Sequence, residues 1–487
     1  MHILLRRAVL SSMFLAAMVG AGCASSSPRV HRVPESASSS AVARADDRFV
    51  YYRFNPGDDK KTIQDSDETV ALLLDTDGDV ATGWKRSEKA FASIGADMEV
   101  QFSPLNPKGG APGNGVAFFK LDQAGGRTEL KGADSDFIFA PTYASQWYDA
   151  RMSRFFASAS GLPTAGMASR GKGRGAFVIY DQQARIVGFS DPFEVEFPSI
   201  ASAPKLSDEG IPSKSPDAIR VMAWNVWGKM QTSPEKFCAV IRAINPDVIM
   251  LSEWKGDQAA LEQVLNANMP SAPGGMGIMV AWNAVVGPDV AVASIHPTRL
   301  AGPNNLDMNW NGDSRKVRFV SAAVQTPIGA ALVGAMHLKC CGAIGTNEDN
   351  LRVAEADAIN QGMKQLSRAD AADIRVLGGD INLVGSRIPL DVLRMDIDVD
   401  GSDLTPADPV VLGDDWLYTW RDWNSGFSPG RLDWLVYSDA SAQAVRQFVF
   451  DPARLSDAAL AKMGLTRADA QPSDHLPVVI DLKPIAK

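Results

Sequence analysis

The chain has 487 residues, 45% hydrophobic and 22% charged, the proportions of a globular protein that buries a core, so a mostly disordered or fibrous chain is excluded. At one domain per roughly 150 residues, this length suggests two or three domains. The net charge is −9, and no basic stripe suited to a phosphate backbone is visible, which counts against a protein that wraps duplex nucleic acid.

Residues 1–22 read as an export signal: Arg6 and Arg7, an apolar run from Ala8 to Val19 interrupted by Ser11 and Ser12, then small residues. The run is short of the roughly 20 residues of a membrane span. Gly20-Ala21-Gly22-Cys23 resembles a bacterial lipobox, with Gly20 where an aliphatic residue is usual. The resemblance implies lipidation of Cys23 and a bacterial envelope location, facing outside the cytoplasm. Residues 23–45 then form the lipidated cysteine and a Ser/Ala/Pro-rich flexible tether. Export would put the other cysteines, Cys238, Cys340 and Cys341, in an oxidising compartment where one pair is open to bridging. Cys238, on the apolar side of a helix, reads as a small buried hydrophobe, and none has zinc-site spacing.

Residues 46–198 alternate short apolar runs with turn signals. Val70–Leu74, Met98–Phe102, Ala176–Tyr180 and Phe193–Phe197 read as strands. Many short strands with Gly- and Asp-rich turns predict a β-sandwich. Leu74–Asp79 with Ala81-Thr82-Gly83 and Gly95-Ala96-Asp97 is similar to a motif of sandwich modules related to family 9 carbohydrate-binding modules, implying a glycan-binding or spacer role. Asp75, Asp77 and Asp79 alternate as carboxylates around Ca²⁺ would, or as a solvated acidic turn; Arg86 stands where an EF-hand loop would have its Glu. Residues 199–217 read as a linker.

From Ala218 the pattern becomes α/β. Ile219–Val226 is strand-like. Ser233-Pro234-Glu235 supplies an N-cap, a first-turn Pro and an acid, and Phe237, Val240, Ile241 and Ile244 follow at helical spacing until Asn245-Pro246. Strands follow at Asp247–Ser252, Ala330–Met336 and Ile374–Leu377, with a helix near Leu351–Leu366. Polar residues fall at the ends of these apolar strands: Asn225, Glu253, His337, and Asp380 with Asn382. Four buried strands delivering such groups to one rim is how a rigid sheet builds a polar pocket.

Trp224-Asn225-Val226, Leu251-Ser252-Glu253, Met336-His337-Leu338, Gly379-Asp380-Ile381-Asn382, Arg431-Leu432-Asp433-Trp434 and Ser473-Asp474-His475-Leu476-Pro477 occur in this order. Together they resemble the motifs of the endonuclease/exonuclease/phosphatase (DNase I-like) superfamily over residues 218–487. The resemblance implies a four-layered α/β sandwich, here preceded by the β-sandwich, and an Mg²⁺-dependent phosphoesterase, with Mn²⁺ as an alternative ion. Oxygen donors suit a hard cation: Glu253 is the implied principal ligand, with Asn225 and Asp474 as further ligands, direct or through water. Asp380 is implied to orient or deprotonate the attacking water and Asn382 to hold the phosphate. Asp433 pairs with His475, and His337 serves as the second imidazole, donating to a phosphate or leaving-group oxygen.

Ala335 replaces the Asn that many members place two residues before the His. Arg315 and Arg318 read as phosphate contacts or as solvated charges, and Trp420, Trp423 and Trp434 as core or as stacking surfaces. The expected substrate is a phosphate ester, nucleic acid and phospholipid included, and a monomer is expected. The competing reading is an envelope glycan-binding lipoprotein whose second domain is inactive. Every implied site residue follows the linker, so a fragment beginning near Ser215 is expected to fold and act alone.

Overall fold

A computed structural model describes residues 41–57, 61–85, 93–157, 163–165, 171–199, 205–269, 281–302, 306–369 and 372–485. The signal, Cys23, most of the tether and Arg86 lie outside the described residues. The tether is shorter than expected. Ala41–Ala45 is a strand, paired antiparallel with Phe49–Phe54. Asp46 closes the turn by accepting the Arg48 and Phe49 N–H groups on Oδ1, a local side-chain cap that an Ala-rich composition does not reveal.

The predicted strands of the first half form. One sheet runs Ala41–Ala45, Phe49–Phe54, Tyr148–Ser153, Ile138–Ala140; the other is built around Gly171–Tyr180, Thr69–Leu74, Met98–Phe102 and Val116–Leu121. Between them lies an aromatic core that includes Tyr52, Phe54, Phe102, Phe139 and Phe177. The alternation in Phe49–Phe54 sends Tyr52 and Phe54 into this core and Phe49 and Tyr51 to the other face.

In the second half, the predicted helix occupies Pro234–Ile244 and the later one Asn347–Ala369. Strands Val290–Ser294, Val248–Ser252, Ile219–Asn225, Val478–Pro484 and Ala442–Val449 are neighbours in one mixed sheet. Phe319–Thr326, Gly329–His337, Ile374–Asp380 and Asp433–Tyr437 are neighbours in the other. The near-continuous apolar runs are explained by burial on both faces. Val221, Val248, Val333 and Val376 pack between the sheets. The Pro234–Ile244 helix covers one outer face through Phe237 and Ile241, and Asn347–Ala369 covers the other through Ile359 and Met363. The result is the four-layered α/β arrangement of a DNase I-like fold.

The halves share a core. Phe49, Tyr51 and Ile138 of the first half belong to the same buried cluster as Val221, Trp416 and Tyr418 of the second. Arg151, its side chain wholly buried, pairs with Asp414 and lies 3.5 Å from Asp415. Arg454 pairs with Asp136 at 2.6 Å. The segment read as a linker is docked where it is described: Ser207 bridges Leu455, and Arg220 Nη2 donates to Pro212 O.

Candidate active site

Strand register delivers the site. Asn225 is opposite Ser252, His337 opposite Asp380, and Asp380 opposite Asp433. The Ser252 hydroxyl donates to Met336 O and accepts the Asp380 N–H, fastening the two sheets at the rim. Glu253 follows at φ +60° and Asn382 at φ +49°, left-handed conformations that cost energy for residues other than Gly and concentrate at functional sites.

Asp380 is the hub. Its Oδ2 accepts from Asn225 Nδ2 at 3.0 Å and lies 3.7 Å from Nε2 of both His337 and His475. Its Oδ1 accepts the Asn382 N–H at 2.9 Å. The same Asn225 amide donates to Glu253 Oε1 at 3.1 Å, so one neutral side chain bridges two carboxylates. His475 Nδ1 is 2.7 Å from Asp433 Oδ2. Burial opposes a charge on His475, but the Asp433 and Asp380 carboxylates outweigh it and hold the imidazole up to about 10. Both carboxylates thus favour the protonated imidazole. Thr419 Oγ1 accepts the Leu432 and Asp433 N–H groups, and Trp224 Nε1 donates to His475 O, fixing the pair from both ends.

Asp289 was not legible in the sequence. It lies at φ +65° in the turn between strands Asn283–Gly287 and Val290–Ser294, where Gly287-Pro288-Asp289 reads as an ordinary turn. Its Oδ2 is 2.7 Å from His337 Nδ1, forming a second carboxylate–imidazole pair. Burial works against its charge, but hydrogen bonds from His337 and Lys255 hold its carboxyl at about 2. Arg318 Nη2 donates to Leu338 O, and its Nη1 reaches toward Asp289 and His337, so Arg318 belongs to the site while Arg315 is exposed on a hairpin.

Asp474 Oδ2 accepts from Trp420 Nε1 at 2.9 Å, and Ser473 Oγ donates to Asn225 O. Trp420 lines the cavity, Trp423 lines a different one, and Trp434 is core beneath the Arg431 guanidinium. Cys340 and Cys341 are free thiols on the cavity wall, their sulfurs 2.9 Å apart, and Cys238 is free and buried. In the first half, the converging carboxylates are Asp75, Asp77 and Asp97. Asp79 is not of that group: its Oδ1 accepts the Ala81 N–H instead.

The cavity has a volume of about 550 Å³, and Glu253, His337, Asp380, Asn382 and His475 line it. Thr62, Gln64, Asp65, Asn114 and Thr142, all from the first half, line it too. Two carboxylate-anchored imidazoles around a shared carboxylate, with a Glu–Asn pair beside them on a DNase I-like scaffold, define a site of the acid–base hydrolytic class. The Endonuclease/Exonuclease/phosphatase family model matches residues 222–475, and the chain belongs to that family.

Three similar solved structures are the human Nocturnin catalytic domain with bound sulfate, a Bacteroides thetaiotaomicron endonuclease/exonuclease/phosphatase family protein, and sphingomyelinase C from Streptomyces griseocarneus. Nocturnin is 16% identical with a TM-score of 0.34, over 56% of this chain and 97% of that one. The Bacteroides protein is 15% identical with a TM-score of 0.36, over 56% and 98%. The sphingomyelinase is 16% identical with a TM-score of 0.34, over 54% and 99%. No curated protein matches the chain.

Proposed function

We propose that the chain is a divalent-cation-dependent phosphoesterase, exported and anchored in a bacterial envelope through lipidated Cys23. One observation carries the catalytic reading: two His–Asp pairs and a Glu–Asn pair converge on Asp380 in a single cavity. Oxygen donors of Glu253 and Asp380 held about one amide suit a hard cation, because two carboxylates on a neutral bridge leave negative charge to be compensated. Glu253 would hold Mg²⁺ or Mn²⁺, with Asn225 and Asp474 beside it, and the ion would supply charge neutralisation at the phosphoryl oxygens.

The chain's own residues supply the rest. Asp380 takes a proton from the attacking water, whose oxygen bonds to phosphorus as the ester P–O bond breaks. His475, charged through Asp433, faces the phosphoryl oxygens. His337, held by Asp289, donates to the departing oxygen, and Asn382 orients the phosphate. The glycan-binding alternative needs a decayed site, and the presence of all eight implied residues supports an active one.

The test is hydrolysis of a panel of phosphodiesters and monoesters by purified protein in Mg²⁺ or EDTA. Turnover in Mg²⁺ that EDTA abolishes supports the reading; no turnover across the panel overturns it. For the anchor, wild-type protein should partition with membranes into detergent and Cys23→Ser should not; wild type confined to the cytosol overturns that part.

A further inference from the structure

The first half of the chain builds one wall of the cavity, and the chemistry of that wall differs from the rest. The contacts holding it are short and mutual. Ser428 N–H donates to Gln64 Oε1 at 2.9 Å, and Gly115 N–H to Gln64 O at 2.7 Å. Val116 N–H reaches Gly426 O at 2.7 Å, and Thr142 Oγ1 donates to Leu383 O at 2.6 Å. Gly115 has φ +92°, and a Cβ there would lie 2.1 Å from Gly426 O. Only glycine permits this approach. The wall is a packed interface between the halves.

The lining that the second half supplies includes the Arg318 guanidinium and the His337 and His475 rings beside the Glu253 and Asp380 carboxylates. The first half contributes Gln64, Asn114 and Asp65 to the lining, and Phe427 of the second half lines the cavity too. Gln64 has its Oε1 taken by Ser428, which leaves its NH₂ as the group able to donate to a ligand. A phosphate ester set for attack beside Asp380 would have its phosphoryl group toward the imidazoles and Arg318 and its alcohol portion toward the Gln64 and Asn114 amides and Phe427. A polynucleotide carries phosphates on both sides of the scissile one. One flank would face Asp65 and a closed wall where it needs cations. A cavity of about 550 Å³ is of the size that encloses a small molecule.

Resting on the phosphoesterase reading, we propose that Gln64, with Asn114 and Asp65, determines specificity, restricting the site to small phosphate esters with an uncharged, partly apolar alcohol portion and excluding duplex nucleic acid. The sandwich half is then part of the substrate site, whatever else it binds.

The test uses the full chain in Mg²⁺ with three probes: bis(p-nitrophenyl) phosphate, thymidine 5′-(p-nitrophenyl) phosphate and a short DNA duplex. The small diesters should exceed the duplex in kcat/KM by about 100-fold or more, since a site can reject a ligand that leaves charges unpaired by such factors. Gln64→Ala should raise KM for the thymidine ester by about 5-fold, the worth of one neutral hydrogen bond, and Gln64→Glu, which also sets a negative charge beside an anionic ester, by at least as much, with kcat little changed in both. Gln64→Glu keeps an oxygen that accepts from Ser428, but replaces the NH₂ donor with a charged carboxylate oxygen. Wild-type KM in Gln64→Glu, beside a raised KM in Gln64→Ala, overturns the specificity role in favour of a packing one. A duplex cleaved as efficiently as the small esters overturns this inference and leaves the phosphoesterase reading standing. Failure on all three probes overturns both.

Discussion

Replacing Arg151 with Met should destabilise both halves of the protein together. Arg151 comes from strand Tyr148–Ser153 in the first half, and its wholly buried guanidinium pairs with Asp414 and lies 3.5 Å from both Asp415 and Asp136. It also stacks 4.1 Å above the Phe49 ring. Met retains most of the apolar stem, so the loss reports charge more than cavity. Removing one partner of a buried ion pair costs about 3–5 kcal/mol, because the other is left uncompensated. Asp414 keeps Arg454, whose Nε lies 3.0 Å from Oδ2, so the lower end, about 3 kcal/mol, is expected. Urea unfolding gives the magnitude, and hydrogen exchange gives its location. Protection should fall in strand Phe49–Phe54 and around Trp416 alike. A loss under about 1 kcal/mol, the range of an exposed pair, or one confined to the first half, would show that the shared core does not couple them.

Asp289→Asn should lower kcat by about 100-fold, within the range of acid–base contributions, by releasing the His337 imidazole, with little change in KM; a wild-type kcat would remove Asp289 from the site. Burial alone would raise the Asp414 carboxyl, but Arg151 and Arg454 outweigh it and hold it well below the usual carboxylate range. With the folded value depressed, its pairing contributes fully above the unfolded value of about 4 and is lost as pH falls through the folded one. Urea midpoints of wild type should therefore fall more steeply below about pH 4 than those of Asp414→Asn, and equal slopes would contradict the pairing. The Ser215–Lys487 fragment should expose the Val411, Trp416 and Tyr418 surface and lose the Gln64 wall, so it should aggregate or show raised KM. A soluble fragment with full-length kinetics would show that the wall is dispensable.

Most of the site was readable because buried strands announce themselves by apolar runs, and a polar residue ending such a run stands out. Asn225, Glu253, His337 and Asp380 were found that way, and the register brings Asp433 and His475 to them. Asp289 was missed because a turn after Gly-Pro explains an Asp without invoking chemistry. Only the need of a second imidazole for a carboxylate partner pointed to it. Thr62, Gln64 and Asn114 were missed for a different reason. They meet the site through pairings hundreds of residues apart, such as Gln64 with Ser428, and such contacts leave no local period. Phe49 and Tyr51, on the outer face of their sheet, need a partner surface, and they find it in the second half. Alternation shows that both faces of Phe49–Phe54 are apolar, but it does not say what covers the second.

The most direct measurement is hydrolysis of thymidine 5′-(p-nitrophenyl) phosphate by wild type and Glu253→Gln across a Mg²⁺ titration begun in EDTA. The wild-type rate should be absent in EDTA and rise saturably with Mg²⁺. The variant, its fold intact by unfolding midpoint, should remain about 100-fold or more slower at every Mg²⁺ concentration, since the ion that this carboxylate would hold would supply transition-state charge stabilisation worth several kcal/mol. A wild-type rate unaffected by EDTA, or a Glu253→Gln variant as fast as wild type, would contradict a metal-dependent phosphoesterase centred on Glu253 and Asp380.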